Sequence, residues 1–216
     1  MQKTLPPGWQ ISKSVTLTLL SKGTLMKSLI LIGLCLLAGQ SHAELRWQQY
    51  HGKLPYNAVI GGYEQGRVLY ICQAYFNNGL HPGKVVEHRC NIGWGGKEHA
   101  IHDFKILVGT AEMLWADRYG IEAMPAVDQF RIRDHIDKTS IYLDDWYPFR
   151  GGYENTGTPL VICSAQHFIF QGGVQRHSKG RHPGKIVNGN CNFGYGGDEI
   201  VIQGDYMILL VKNQYK

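Results

Sequence analysis

Short apolar runs separated by glycine pairs dominate the chain after residue 44. Within each run, apolar residues fill both alternating positions, which is typical of β-strands buried on both faces. The glycine pairs predict turns or bulges between the strands. The pattern therefore predicts an all-β, antiparallel fold, with residues 111–118 as a single short helix-like exception. Predicted strands include 68–72, 160–163, 200–202 and 206–211.

One stretch of the sequence occurs twice. Residues 81–101 return as residues 182–202, and 12 of the 21 positions are identical. Unrelated segments would match at about one or two positions, so the chain is a tandem duplication, and its function is expected to be duplicated too. We divide it into residues 1–43, a first repeat at 44–110 and a second at 111–216, with an insertion at about 128–149. Where the second repeat starts depends on whether Trp115 or Trp146 corresponds to Trp47.

The N-terminal segment has the features of an export signal. Lys27 precedes an apolar run at residues 29–38, and Ser41-His42-Ala43 offers small residues where signal peptidase reads. The run is too short for a permanent membrane span, and Met26 is a plausible start. We expect cleavage after Ala43 and a secreted or periplasmic protein with no stable membrane anchor.

Removing this signal changes the charge of the chain. The full sequence has a formal net charge of +5, but residues 1–43 hold four lysines and no acid. The mature chain therefore carries 18 basic and 17 acidic residues. A near-neutral chain gives no electrostatic case for nucleic-acid binding.

Four cysteines remain after cleavage, one pair in each repeat. Four cysteines allow three connectivities, and in an exported chain we predict one disulfide within each repeat. Free thiols and zinc are the alternatives, although neither pair forms a Cys-x2-Cys zinc knuckle. We expect no metal and no cofactor. The predicted bonds are Cys72–Cys90 and Cys163–Cys191.

Several motifs together resemble the DM-nine repeat family. They are residues 57–64 with Gly61-Gly62-Tyr63-Glu64, the strand end Tyr70-Ile71-Cys72, Pro82-Gly83-Lys84, and Gly95-Gly96-Lys97-Glu98. Members of that family include invertebrate mannose-binding lectins, and the repeat also occurs in natterin-like proteins. The resemblance implies two repeats that exchange strands into one intertwined all-β unit.

The resemblance also implies sugar sites, built from an acid and the lysine of the Pro-Gly-Lys turn. These residues are Glu64 with Lys84, and Glu154 with Lys185. The family more often has aspartate at the acidic position. A carboxylate and an ammonium suit the adjacent hydroxyls of mannose, because one accepts and the other donates hydrogen bonds. In the alternative interpretation, both lysines are ordinary exposed turn residues.

Three classes of function fit the sequence. The first is a lectin without catalysis that recognises mannose-containing glycans. The second is a glycan-acting or cell-wall-acting hydrolase that uses Glu64 with Glu98, and the third is a toxin-associated structural module. Glu98 and Glu199 are expected to accept backbone N–H bonds, Asn91 and Asn192 to form turns, and the duplicated histidines at 81 and 182 to lie in loops. The sequence leaves the oligomeric state, including a homodimer, open.

Overall fold

A computed structural model describes residues 44–118, 123–125, 146–171 and 174–212. Within these residues the regular elements are sixteen β-strands, paired antiparallel, so the predicted fold class is confirmed. No helix capable of crossing a bilayer occurs in this part of the chain. The export signal lies outside the described residues.

The strands are β1 (Leu45–Gln49), β2 (Ile60–Glu64), β3 (Arg67–Phe76), β4 (Gly79–Val86), β5 (Arg89–Trp94), β6 (Lys97–Ile101), β7 (Phe104–Gly109), β8 (Met113–Asp117), β9 (Ala123–Pro125), β10 (Trp146–Pro148), β11 (Arg150–Tyr153), β12 (Pro159–Gln171), β13 (Val174–Val187), β14 (Asn190–Tyr195), β15 (Asp198–Ile202) and β16 (Tyr206–Lys212).

Six strands close a barrel that both repeats share. Around the ring, β2 pairs with β3, β3 with β4, β4 with β11, β11 with β12, β12 with β13, and β13 with β2. The repeats meet where Tyr63 pairs with Arg181 and where Tyr153 pairs with Leu80. Each repeat therefore completes the sheet of the other, as the predicted intertwined arrangement requires.

Glycine pairs allow the two repeats to approach this closely. A Cβ atom on Gly62 would lie 2.0 Å from the Arg181 carbonyl oxygen, and one on Gly152 would lie 1.8 Å from that of Leu80. Beside each glycine pair lies a proline of the other repeat, Pro183 in one case and Pro82 in the other. Any larger side chain would separate the strands, so the glycines are needed for close backbone approach rather than for a turn.

A second junction joins the Gly-Gly turns that precede β6 and β15. The backbone N–H of Glu98 donates to the Gly197 carbonyl at 3.0 Å, and that of Glu199 donates to the Gly96 carbonyl at 3.2 Å. The carboxylates add reciprocal bonds, because Glu98 accepts from Gly197 N–H and Glu199 from Gly96 N–H, both at 2.9 Å. The expected structural role of these glutamates is thus observed, but across the two repeats.

The disulfides form within the repeats, as predicted. Cys72 is bonded to Cys90 and Cys163 to Cys191, and all four cysteines are fully buried. The first bond joins β3 to β5 and the second joins β12 to β14. Closing such loops stabilises a fold by restricting the unfolded chain.

The central hydrophobic cluster draws on both repeats. Ile71 and Leu107 of the first repeat pack with Trp115, Ile162 and Leu209 of the second, and all five are fully buried. Burying one such side chain contributes about 1.5–3 kcal/mol. A core shared in this way makes the repeats one folding unit rather than two.

Two local predictions were wrong. Within residues 111–118, Met113–Asp117 forms strand β8 instead of a helix, because pairing with β16 buries Met113 to Ala116 on both faces. Asn91 and Asn192 lie inside strands β5 and β14 rather than in turns. In the register, Trp115 pairs with Leu209 just as Trp47 pairs with Leu107. Most of the expected insertion at 128–149 lies outside the described residues.

Candidate functional site

The two Pro-Gly-Lys segments lie in strands, which corrects the predicted turns. Pro82-Gly83-Lys84 is in the middle of β4, and Pro183-Gly184-Lys185 is in the C-terminal half of β13. Both lysines are only 2% exposed. They are therefore not exposed turn lysines, and they need polar partners inside the protein because a buried charge is costly without them.

The partner of each buried lysine is a histidine of the other repeat. Lys84 Nζ lies 3.1 Å from His182 Nδ1, and Lys185 Nζ lies 3.0 Å from His81 Nδ1. Both histidines are fully buried and lie in strands, not in the loops predicted for them. Lysine can only donate, so each Nδ1 atom accepts and each ring is neutral.

The electrostatics agree with neutral histidines. Burial lowers the pKa of His182 to about 3, and the charge of Lys84 and the ring of His167 act in the same direction. Burial also lowers the pKa of His81, and Lys185 lowers it further against the opposing charge of Glu154. Each cross-repeat pair therefore contains a neutral imidazole that accepts from a lysine.

The second-repeat acid completes a three-residue site. Glu154 Oε1 accepts a hydrogen bond from Lys185 Nζ at 3.2 Å, and Glu154 Oε2 lies 3.9 Å from His81 Nδ1. The carboxylate side chain is 23% exposed, whereas the lysine is almost fully covered. The predicted pair Glu154 and Lys185 is thus brought together, with its acid facing solvent.

The first-repeat acid is arranged differently. Glu64 Oε2 lies 3.3 Å from Arg67 Nη2, and the Glu64 side chain is 9% exposed. Within the described residues, Glu64 forms its ion pair with Arg67 and not with Lys84. Its charge still acts on Lys84, whose pKa is lowered by burial and raised by Glu64 and Glu98.

An aromatic ring lies beside the lysine of the first repeat. Lys84 Nζ lies 5.0 Å from the ring centroid of Tyr195, and Tyr195 meets His167 and His182 edge-on at 4.7 and 5.1 Å. Trp94 holds the position in the first repeat that Tyr195 holds in the second, and it packs against Phe76 at 5.6 Å. Such rings offer an apolar face beside charged groups.

Glu98 is engaged in holding the fold. Its Oε1 atom accepts from Asn91 Nδ2 at 2.9 Å, and its Oε2 atom accepts from the Gly197 N–H. Asn192 and Glu199 repeat the first of these bonds at 3.1 Å. Both oxygens of Glu98 are therefore occupied by structural donors.

The first repeat also carries a groove of about 380 Å³, whose lining includes neither Lys84 nor Lys185. Its apolar wall includes Val68, Tyr70 and Val85. Arg67 lines this groove and also holds Glu64. It is the residue that connects the groove with the acid of the first-repeat site.

Comparisons with known proteins agree with this architecture. The model of the DM9 repeat family, the DM-nine family named above, matches residues 33–89 and 63–127. The second repeat carries the Pro-Gly-Lys and Gly-Gly motifs of residues 81–101 at a spacing of 101 residues, and the Gly-Gly-Tyr-Glu motif at a spacing of 90. None of the curated proteins compared with the chain matches it.

A solved structure is similar in fold. The crystal structure of the nematode sperm cell motility protein MFP2B matches with a TM-score of 0.52 and 16% sequence identity. The match covers 81% of this chain and 48% of that protein, so this chain spans about half its length. At this identity the likeness concerns the fold alone.

Proposed function

The chain is a member of the DM9 repeat family, and from that premise we propose that it is an exported lectin for mannose-containing glycans. Its candidate sites are the acid and lysine pairs, Glu64 with Lys84 and Glu154 with Lys185. The observation that carries the proposal is the second of these pairs. A buried lysine supports a partly exposed carboxylate at 3.2 Å.

This geometry suits a pair of neighbouring sugar hydroxyls. Lys185 has three N–H donors, and among the described residues two of them are used, by His81 and Glu154. The third remains for a ligand oxygen. Glu154 accepts from the adjacent hydroxyl. Hydrogen bonds to charged groups typically contribute about 1.5–3 kcal/mol each, and the histidine fixes the lysine so that little side-chain entropy is lost on binding.

The arrangement favours binding over hydrolysis. Glycoside cleavage uses two carboxylates on either side of the bond, and the sequence offered Glu64 with Glu98 for that role. Both oxygens of Glu98 are instead bonded to Asn91 and Gly197. A carboxylate held in this way is a poor general acid or nucleophile, so we propose a protein without enzymatic activity.

Two features support a location outside the cytoplasm. Two buried disulfides persist most readily in an oxidising compartment. The sequence of residues 26–43 has the features of a signal peptide. We propose secretion or transfer to the periplasm, with glycans as partners, no nucleic acid and no stable membrane anchor.

A binding experiment tests the lectin. The protein starting at Glu44 is screened on a glycan array and then titrated calorimetrically with methyl α-D-mannoside. Glu154→Gln keeps the shape but removes the charged acceptor, so we expect about a tenfold loss of affinity at that site. Glu112→Gln is the matched control, because it removes the charge of an exposed carboxylate that pairs with Lys212 and belongs to neither candidate site. Lys185→Ala is less suitable, because a buried lysine supports the fold.

The outcomes separate the functions clearly. Mannoside binding that is weakened by Glu154→Gln but not by Glu112→Gln supports the lectin. Release of reducing sugar from mannan would indicate a hydrolase instead. Absence of binding to any arrayed glycan, in protein with a normal melting transition, contradicts the proposal.

A further inference from the structure

The turns beside the two acids differ between the repeats. Tyr63 pairs with Val68 in the first repeat, and Tyr153 pairs with Pro159 in the second. The residues that precede these partners, Arg67 and Thr158, therefore occupy equivalent positions in the two repeats. The second-repeat turn is one residue longer, and the Thr158 hydroxyl is bonded to that of Thr156 at 2.9 Å.

The two acids also differ in where they are held. Arg67 lies 3.3 Å from Glu64, whereas Glu154 bonds to Lys185 at 3.2 Å. The acid with an arginine beside it is 9% exposed, and the acid without one is 23% exposed. The Glu64 carboxylate is thus nearly buried and paired with Arg67, whereas the Glu154 carboxylate is partly exposed and paired with Lys185.

We infer that the two glycan sites are inequivalent: the second-repeat site is preformed, and Arg67 restricts the first-repeat site by pairing with the Oε2 atom of Glu64. The inference rests on the proposed lectin function. We expect a ligand hydroxyl at the first site to compete with the arginine for the Glu64 carboxylate. The pKa of Lys84, the other ligand-binding group, is lowered mainly by burial, and the charge of Arg67 acts in the same direction.

The expected difference in affinity between the two sites is moderate. Arg67 is 51% exposed, so solvent screens its pairing with Glu64 and the ion pair itself contributes little to stability. Removing Arg67 therefore leaves the fold intact, and its effect is on the availability of the carboxylate. We expect the first site to bind about fivefold to tenfold more weakly than the second, the equivalent of losing one hydrogen bond.

Exchanging the two turn residues tests this inference. Calorimetric titration of the wild-type chain with methyl α-D-mannoside should give one stronger site per chain. Arg67→Thr should bring the number of comparable sites to two. Thr158→Arg should weaken the second site by about fivefold to tenfold. Arg89→Thr, which removes an exposed arginine elsewhere on the same repeat, should bind like wild type.

A rescue variant isolates the first site. Glu154→Gln weakens the second site about tenfold, and adding Arg67→Thr to it should strengthen mannoside binding at the first. Failure of that double variant to bind better than Glu154→Gln alone overturns the inference, as do two equal wild-type sites that Arg67→Thr leaves unchanged. Both of those results keep the lectin function. Absence of mannoside binding in every variant, including wild type, instead contradicts the lectin function itself.

Discussion

Acid should destabilise this protein through one buried histidine. His182 is fully buried, accepts a hydrogen bond from Lys84 at 3.1 Å and stacks on Phe193 at 4.9 Å. Protonation would place a second positive charge against the lysine in a site closed to water. Lowering the pH is therefore a perturbation aimed at the contact between the repeats.

The direction and size follow from the pKa of His182, which folding lowers from 6.5 to about 3. The folded state keeps the ring neutral, whereas the unfolded chain takes up the proton once the pH falls below 6.5. The contribution of the neutral His182 ring to stability is thus fully present above pH 6.5 and is lost progressively as the pH falls toward 3. At pH 4 the loss amounts to about 3 kcal/mol from this residue, at about 1.4 kcal/mol per pH unit.

Urea unfolding at pH 7 and pH 4, with the disulfides intact, measures this loss. His182→Gln retains an acceptor for Lys84 but cannot titrate, so it should lose about 3 kcal/mol less than wild type between the two pH values. His51→Gln removes an exposed histidine and should follow wild type. An equal pH dependence in His182→Gln and wild type would refute the reasoning, because the acid sensitivity would then arise elsewhere.

Two further predictions concern the fold. Gly152→Ala places a methyl group 1.8 Å from the Leu80 carbonyl oxygen, and because backbone cannot rotate away we expect a loss of about 3 kcal/mol. Urea unfolding measures it against Asn155→Ala in the neighbouring turn, and equal midpoints would show that the repeats need no close approach there. Replacing both Cys72 and Cys90 with alanine opens a loop with a sequence separation of 18 residues and should cost about 3 kcal/mol. An unchanged urea midpoint would exclude a stabilising bond.

Local sequence predicted more of the fold than of the site. Apolar runs and glycine pairs correctly indicated antiparallel strands, and the position of one cysteine pair in each repeat indicated the two disulfides. The duplicated glutamates and lysines were also visible in sequence. The histidines were misplaced in loops, although the repetition of the whole His-Pro-Gly-Lys segment was a signal that His81 and His182 belong with the lysines.

The sequence by itself determined the duplication and the strand character, because these depend on periodicity and on residues close together in the chain. It predicted the disulfide pairing among three connectivities, and the structure confirmed it. Only the tertiary structure decided that Lys84 is buried, that its partner is His182 of the other repeat, and that residues 113–117 form a strand. Each of these depends on which strand edges meet across the barrel. Such pairing is set by packing between segments about 100 residues apart, and no local pattern encodes it.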